Sequence, residues 1–173
     1  KGKTILLDRY FNSEKKKDAS GNMNYWHYTW EERSNAGFNM LGHVFQKHGA
    51  SLSSLDEAPE KATLAKVDVY IVVDPDHKKD NPLPNYVSGK DVKIIADWVK
   101  NVGTLVLMAN DSSNCELTLF NKLAGVFGIR FSNKSINMVK NDVYEQGEVM
   151  VMPGNPFFKT AERLFLKEIS TLE

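Results

Sequence analysis

The sequence lacks most of the features that assign a protein to a class at once. Its 173 residues include one cysteine, Cys115, which excludes an internal disulfide framework and a multi-cysteine metal site. Lysine plus arginine and aspartate plus glutamate both number 22, so the zero net charge gives no indication of binding to nucleic acid or to an anionic membrane. The longest apolar runs have the length of a strand, and none is long enough for a transmembrane helix.

Motifs for nucleotide binding and for nucleophilic catalysis are also missing. The sequence contains neither G-x-G-x-x-G nor a Walker A loop, so phosphate binding has no support. All four histidines precede Cys115, and the segment 110–116 lacks the glycines that relieve the turn of a nucleophile elbow. We therefore expect no catalytic nucleophile at Cys115, Ser112 or Ser113, and we expect no cofactor.

What the sequence does contain is an alternation of apolar strands and amphipathic helices. The runs at 3–8, 68–74 and 104–109 are almost continuously apolar, which is typical of parallel strands covered on both faces. Weaker patterns predict short strands at 50–55, 129–131 and 148–152, while 157–166 is ambiguous. The alternation predicts one α/β domain over residues 1–173, with a doubly wound and mainly parallel sheet.

Three helices are predicted between these strands. The first has an apolar stripe of Phe38, Leu41 and Phe45, widened by Met40 and Val44. Capping boxes are predicted to start the second and third helices, at Ser88 with Asp91 and at Ser113 with Glu116. A glycine follows each helix, at positions 49, 103 and 128.

Acidic and amide side chains follow three of the predicted strands. Ligands of open α/β sheets bind at the carboxyl ends of the strands, so these side chains are candidates for a site that binds a sugar, a cation or another polar ligand. The alternative is that they cap loops and helix N-termini, where aspartate and asparagine are common anyway. The candidates, with Tyr10 added because it lies just past the first strand, are Asp8, Tyr10, Asp74, Asp76, Asn110 and Asp111.

A metal site is a narrower version of the same idea. Carboxylate oxygens from Asp8, Asp74, Asp76 and Asp111 would suit Ca²⁺ or Mg²⁺. The acids lie far apart in sequence and have no EF-hand spacing, so we predict no metal.

A second feature is the aromatic segment Tyr-Trp-His-Tyr-Thr-Trp at 25–30, inside the long polar connection 9–33. Aromatic faces can stack on sugar rings, which makes His27 and Trp30 candidate ligand-binding residues. The alternative is that the segment folds back and buries its rings as a lid on the sheet. If it is extended, alternation places Tyr25, His27 and Thr29 on one side and Trp26, Tyr28 and Trp30 on the other.

At this point the sequence resembles a known family. The stretch 68–111, which reads DVYIVVD, a proline-rich loop and then IADWVKNVGTLVLMAND, resembles nucleophile-less branches of the glutamine-amidotransferase-like superfamily. Val102 stands where that family usually has a glycine. The opening GKTILLDRYFN and the segment WHYTWE at 26–31 are similar to a region that follows the catalytic barrel in gut-bacterial unsaturated rhamnogalacturonyl hydrolases.

The resemblance implies a three-layer, flavodoxin-like or class I glutamine-amidotransferase-like fold. It implies a non-catalytic accessory domain of a pectin-degrading glycoside hydrolase, which packs on the catalytic domain or contributes to binding an oligosaccharide. The parent protein would be periplasmic or secreted, and the start at Lys1 without a methionine suggests an excised piece. No amidotransferase triad is expected, because the elbow position offers Asn110 and Asp111.

Two other functions stay open at this stage. The first is a carboxylate-based carbohydrate hydrolase that uses two acids at the strand ends, a mechanism that depends on their separation. The second is an interaction module with a purely structural role. Neither nucleic acid nor membrane is an expected partner.

Overall fold

The computed structural model describes residues 2–101, 103–141, 143–154, 156–166 and 169–173. Val102, which stands at the glycine position of the family pattern, lies outside the described residues. Within those ranges, no helix is both long and apolar enough to cross a membrane.

Three strands come first, strands and helices then alternate up to residue 125, and strands predominate after it. The strands are β1 (Thr4–Asp8), β2 (Lys15–Lys17), β3 (Met23–Tyr25), β4 (Ser51–Leu55), β5 (Val69–Val73), β6 (Thr104–Met108), β7 (Phe131–Ile136), β8 (Glu148–Val151), β9 (Glu162–Phe165) and β10 (Ile169–Leu172). The helices are α1 (Asn39–Lys47), α2 (Lys61–Leu64), α3 (Gly89–Lys100) and α4 (Leu117–Gly125), with a 3₁₀ turn at Tyr144–Gly147.

A four-stranded parallel sheet in the order β4-β1-β5-β6 forms the centre of the molecule. Its inner strands β1 and β5 are almost wholly buried, as their continuous apolar sequences predict. Two apolar clusters pack on it, one with side chains from α3 and α4 and the other with side chains from α1. The predicted strands at 3–8, 50–55, 68–74 and 104–109 are confirmed.

The helix starts were predicted correctly in one case and wrongly in the other. Ser88 and Asp91 form the predicted capping box at the start of α3. The box predicted at Ser113 is wrong, because the Glu116 carboxylate itself caps α4 by accepting from the amides of Thr118 and Leu119. The Glu116 side chain, which directly precedes α4, reaches the free amides of the first turn, so Ser113 is not needed as the capping residue.

Helix α1 buries a narrower stripe than its sequence suggests. Phe38, Leu41 and Phe45 pack in the core as predicted. Met40 and Val44 do not widen the stripe, because they are 72% and 47% exposed. The helix therefore presents an apolar residue pair to the surface, next to the outer strand of the sheet.

The predicted fold class, a three-layer doubly wound sheet of the flavodoxin-like or class I glutamine-amidotransferase-like type, is wrong. Beyond the parallel sheet the described residues form three two-stranded antiparallel sheets, which pair β2 with β3, β7 with β10 and β8 with β9. The strand predicted at 129–131 begins at Phe131 and extends this antiparallel part. Its Asn133 and Lys134 are exposed, so β7 lacks the two buried faces of an inner parallel strand.

Candidate functional site

The carboxyl edge of the parallel sheet carries a cluster of buried polar side chains. The innermost is Asp8, which is 1% exposed at the end of β1. Its Oδ1 accepts from the amides of Tyr10 (3.2 Å) and Phe11 (2.7 Å), and its Oδ2 accepts from the Tyr70 hydroxyl (2.6 Å). Burial raises the pKa of Asp8 to about 7 in spite of these hydrogen bonds. Asp8 is therefore a buried turn-forming residue, with its donors supplied by the protein.

Asp74 lies at the end of the neighbouring strand β5 and connects several loops. Its carboxylate accepts from the Tyr28 hydroxyl (3.0 Å), from the Asn110 side-chain amide (3.4 Å) and from the Cys115 thiol. Its backbone has φ of 46°, a left-handed conformation that directs the side chain into this cluster. Burial raises the pKa of Asp74 to about 6, while the hydrogen bond from Tyr28 opposes this rise.

Asp76 is 1% exposed and holds the loop after β1. Its Oδ2 accepts from the Ser13 amide (2.8 Å) and the Asn81 side chain (2.8 Å), and burial raises its pKa. Nearby Glu14 has its pKa raised to about 7, first by burial and then by the charges of Asp76 and other acids. Sequence reasoning missed Glu14, because it stands in a polar stretch with no strand end or motif to distinguish it.

His77 lies on the loop after β5 and contacts the loop after β6 at the same edge. Its Nε2 lies 3.1 Å from the Ser113 carbonyl oxygen, and its Nδ1 lies 2.9 Å from the Asp80 carboxylate. Lys79 donates to the same Ser113 oxygen (3.0 Å). These contacts join the loop after β5 to the loop after β6.

Four buried side-chain atoms at this edge form no hydrogen bond of acceptable geometry within the described part of the chain, namely His27 Nδ1, Asp76 Oδ1, His77 Nδ1 and Asn110 Oδ1. His77 Nδ1 has the Asp80 carboxylate 2.9 Å away, which leaves His27 Nδ1, Asp76 Oδ1 and Asn110 Oδ1 as the atoms with no polar partner. Buried polar atoms of native proteins are almost always paired, so unpaired ones indicate strain or a contact with a ligand or water. Asn110 also lines an open cavity of about 170 Å³ together with Tyr28, Asp74 and Ile169.

The aromatic segment folds back as a lid. Trp30 is 8% exposed, packs against Phe38 and Phe45, and donates from Nε1 to the Ser53 carbonyl (2.9 Å). Most of its ring packs in the core and the rest lines the cavity between α1 and β4, so its contact with a ligand stays a prediction. The alternation predicted for an extended segment does not apply, because His27 and Tyr28 have φ of 63° and 46° and the chain there is not extended.

The remaining predicted residues are divided between packing and the site. His27 stacks on Trp26 with ring centroids 3.4 Å apart, and burial lowers its pKa. Tyr10 packs edge-on against Phe11, while its carbonyl accepts from Asn85 (2.9 Å). Both lie on the lid and loop segments that flank the carboxyl edge.

Asp111 faces away from the other acids. Its carboxylate accepts from the amide of Ser113 (2.8 Å) and from the hydroxyls of Ser113 and Ser135. Hydrogen bonds from Ser113 contribute most to lowering its pKa. Asp111 therefore caps its own turn. Among the described residues, no group of three or more His, Cys, Asp or Glu side chains has a geometry that could hold a metal ion.

The thiol of Cys115 lacks the environment of a nucleophile. It is 1% exposed, and burial together with the Asp74 carboxylate raises its pKa. A thiol becomes reactive when its surroundings favour the thiolate, whereas here the thiol donates a hydrogen bond to the Asp74 carboxylate and keeps its proton. The site can therefore exchange hydrogen bonds with a ligand but has no activated sulfur.

Comparisons with known proteins reveal a likeness at the level of the fold. No family model matches the sequence, and no curated protein is significantly similar to it. A solved structure titled "mmIFT52 N-terminal domain" superposes with a TM-score of 0.65 at 15% identity, over 98% of this chain and 67% of that chain. At this identity the likeness concerns the fold alone.

These findings correct two interpretations of the sequence. The assignment to the glutamine-amidotransferase-like domains of rhamnogalacturonyl hydrolases is wrong, because the fold match is to the mmIFT52 domain. The link to glycoside hydrolysis and pectin degradation depended on that assignment and is wrong with it. The family assignment was suggested by a strand, an amphipathic helix with Trp98 and a second strand. These elements are ordinary parts of an α/β fold with a parallel sheet and do not identify a family.

Proposed function

We propose that this chain is a non-catalytic binding domain that takes a hydroxyl-rich ligand, a carbohydrate or polyol, at the carboxyl edge of its parallel sheet. The observation that carries the proposal is the position of the unpaired buried atoms. His27 Nδ1, Asp76 Oδ1 and Asn110 Oδ1 all lie on loops at this one edge. Two of them are acceptor oxygens, which match the hydroxyl donors of a sugar.

The charge and shape of the edge support a neutral ligand. Asp74 and Glu14 have pKa values raised to about 6 and about 7, so adding a second anion here would be unfavourable. Tyr28 contributes both an aromatic ring and a hydroxyl to the small cavity at Asn110. Apolar walls with a few convergent polar groups are typical of small-molecule sites.

The absence of activated groups favours binding over catalysis. Among the described residues of the cluster, Cys115 is hydrogen-bonded to an acid and Asp8 is enclosed by protein donors. A carboxylate-based carbohydrate hydrolase that uses two of the acids at the strand ends stays a prediction. Packing on a catalytic domain and a periplasmic or secreted location also stay predictions.

A glycan array tests the proposal directly. We expect the wild-type chain to retain a subset of neutral oligosaccharides, and calorimetry with the best of them to give a measurable affinity. Asn110→Ala and Asp74→Asn should each weaken that affinity about tenfold or more, since a hydrogen bond to a charged or buried group contributes about 1.5–3 kcal/mol.

The control is Asp97→Asn, which alters an exposed acid that pairs with Lys93 on α3. It should leave the affinity unchanged, and circular dichroism should show that all three variants are folded. The proposal is wrong if the wild-type chain retains no glycan. It is also wrong in its location if binding is the same in Asn110→Ala and Asp74→Asn as in the wild type.

A further inference from the structure

Strand β4 is an outer strand of the parallel sheet and has an open edge. Its sequence, Ser-Leu-Ser-Ser-Leu, contains no charge and no proline, and its register with β1 runs from Ser51 to Leu55 without a bulge. Proteins usually protect such edges with lysine, proline or a bulge, because a bare edge pairs with other chains. The other outer strand of the sheet is β6. There Met108 of β6 and Ile169 of β10 line the same small cavity.

The backbone groups that face outward can be identified from the hydrogen bonds to β1. The Ser51 amide donates to the Lys3 carbonyl (2.8 Å), so the groups of Ser51 point towards β1. Backbone groups alternate between the two sides of a strand, so those of Leu52 and Ser54 point away from the sheet. Within the described ranges, β4 pairs with β1 and with no other strand.

We propose that this edge pairs with the same edge of a second copy of the chain, antiparallel and centred on Ser53. In that register Leu52 of each copy exchanges both backbone hydrogen bonds with Ser54 of the other, which satisfies all the outward groups. A register centred on Leu52 is less favourable, because Ser54 would then face Ala50, whose amide already donates to Phe45 (3.0 Å). The two parallel sheets become one continuous sheet.

The charges that flank β4 are complementary in this arrangement. The chain enters the strand after exposed Lys47 and leaves it at exposed Asp56 and Glu57. With Ser53 at the centre, the segment after β4 of one copy, which carries Asp56 and Glu57, runs towards the end of α1 of the other copy, which carries Lys47. Two-fold symmetry produces this contact twice, and opposite charges at an interface fix its register.

Helix α1 provides the second layer of the interface. In an antiparallel pair, opposed side chains lie on the same face of the sheet, so the two α1 helices lie side by side above it. Met40, which is 72% exposed, and His43 line an open cavity of about 770 Å³ between α1 and β4. The α1 helix of the second copy would cover this cavity and bury Met40.

Sedimentation equilibrium of the full chain tests the dimer. We expect a monomer–dimer equilibrium in the wild type, and at least a tenfold weaker dimer in Ser53→Lys. That substitution places two lysines opposite each other, with Cα atoms about 4.5 Å apart in a non-hydrogen-bonded pair. The control Thr104→Lys puts a lysine on the exposed first residue of β6 and should leave the dimer unchanged. Circular dichroism and Tm should show that both variants fold.

A charge exchange tests the register. Glu57→Lys alone should weaken the dimer, and the double variant Lys47→Glu with Glu57→Lys should restore it. The proposal is overturned if the wild-type chain stays monomeric up to about 1 mM, a concentration that detects a Kd of that order. It is also overturned if a dimer forms and Ser53→Lys does not weaken it, or if the double variant is as weak as Glu57→Lys.

Discussion

Replacing Asp8 by asparagine should make the protein more stable at neutral pH. Asp8 is buried, and its pKa is raised to about 7 by that burial. Asparagine has the shape of the protonated acid: its oxygen can accept from the amides of Tyr10 and Phe11, and its NH₂ can donate to the Tyr70 oxygen. The variant keeps the two hydrogen bonds from the amides, reverses the direction of the one with Tyr70, and removes the cost of a buried charge.

The magnitude and the pH range follow from the pKa values. Between the unperturbed value of 3.8 and about 7, the folded state holds a proton at Asp8 that the unfolded state has lost, so stability falls as the pH rises. One pKa unit corresponds to about 1.36 kcal/mol, so the total cost above pH 7 is on the order of 4 kcal/mol. Below pH 4 the carboxyl is protonated in both states and contributes nothing to the pH dependence.

Urea unfolding at pH 4, 5, 6, 7 and 8 measures this effect. The difference in unfolding free energy between Asp8→Asn and the wild type should increase steadily up to about pH 7 and then become constant. Asp97→Asn, at an exposed position on α3, is the matched control and should parallel the wild type. If the curves for Asp8→Asn and the wild type are parallel over the whole range, the burial of Asp8 does not raise its pKa and the reasoning fails.

Two further predictions concern packing and the thiol. Gly42→Ala should destabilise the chain by about 1–3 kcal/mol in urea unfolding, because the new Cβ would lie 2.9 Å from Leu52 Cδ1 and 3.0 Å from Trp30 Cε3. Gly125→Ala, whose Cβ would meet nothing within 4 Å, should be neutral or stabilising by up to about 1 kcal/mol; equal losses in the two variants would contradict the packing. Iodoacetamide at pH 8 should alkylate Cys115 about 100-fold more slowly in the folded chain than in urea, and a rate near the unfolded value would show that the thiol is accessible.

The parallel sheet could be predicted from the sequence because its strands are apolar on both faces. β5 reads Val-Tyr-Ile-Val-Val, and only a strand enclosed by two layers tolerates such a run. The Ser88 capping box and the left-handed Gly49 after α1 were predictable for a similar reason, since both depend on chemistry within a few residues.

The antiparallel part could not be predicted, because it depends on pairing between distant segments. β7 joins β10 with Ile136 opposite Ile169, and neither strand has a strong pattern of its own. Short, half-exposed strands carry little periodicity, so their partners are determined by tertiary packing. The predicted fold class failed at this point, since the pattern of the first 125 residues was extended to the whole chain.

The candidate site shows which residues of the polar pattern have all their hydrogen bonds supplied by the protein. Asp8 and Asp111 both follow strands, yet their carboxylates are used by turn amides and hydroxyls, as the capping alternative predicted. Asp76 and Asn110 follow strands in the same way, but each retains a buried oxygen without a partner. Sequence position cannot separate these pairs, because both functions use the same residue types at the same strand ends.

What separates them is the number of donors that the fold supplies to each oxygen. In the loop after β1, two backbone amides donate hydrogen bonds to the Asp8 carboxylate. A ligand is therefore not needed to satisfy that carboxylate. At Asp76 the loops supply donors to Oδ2 and leave Oδ1 unpaired. Asn110 donates through its NH₂ group to Asp74, and its side-chain oxygen Oδ1 is unpaired. An unpaired buried acceptor costs about 1–3 kcal/mol, and a hydroxyl ligand that pairs with it recovers part of that cost as affinity. For this reason the carboxyl edge at Asp76 and Asn110, and not every acid at a strand end, is where a ligand is expected to bind.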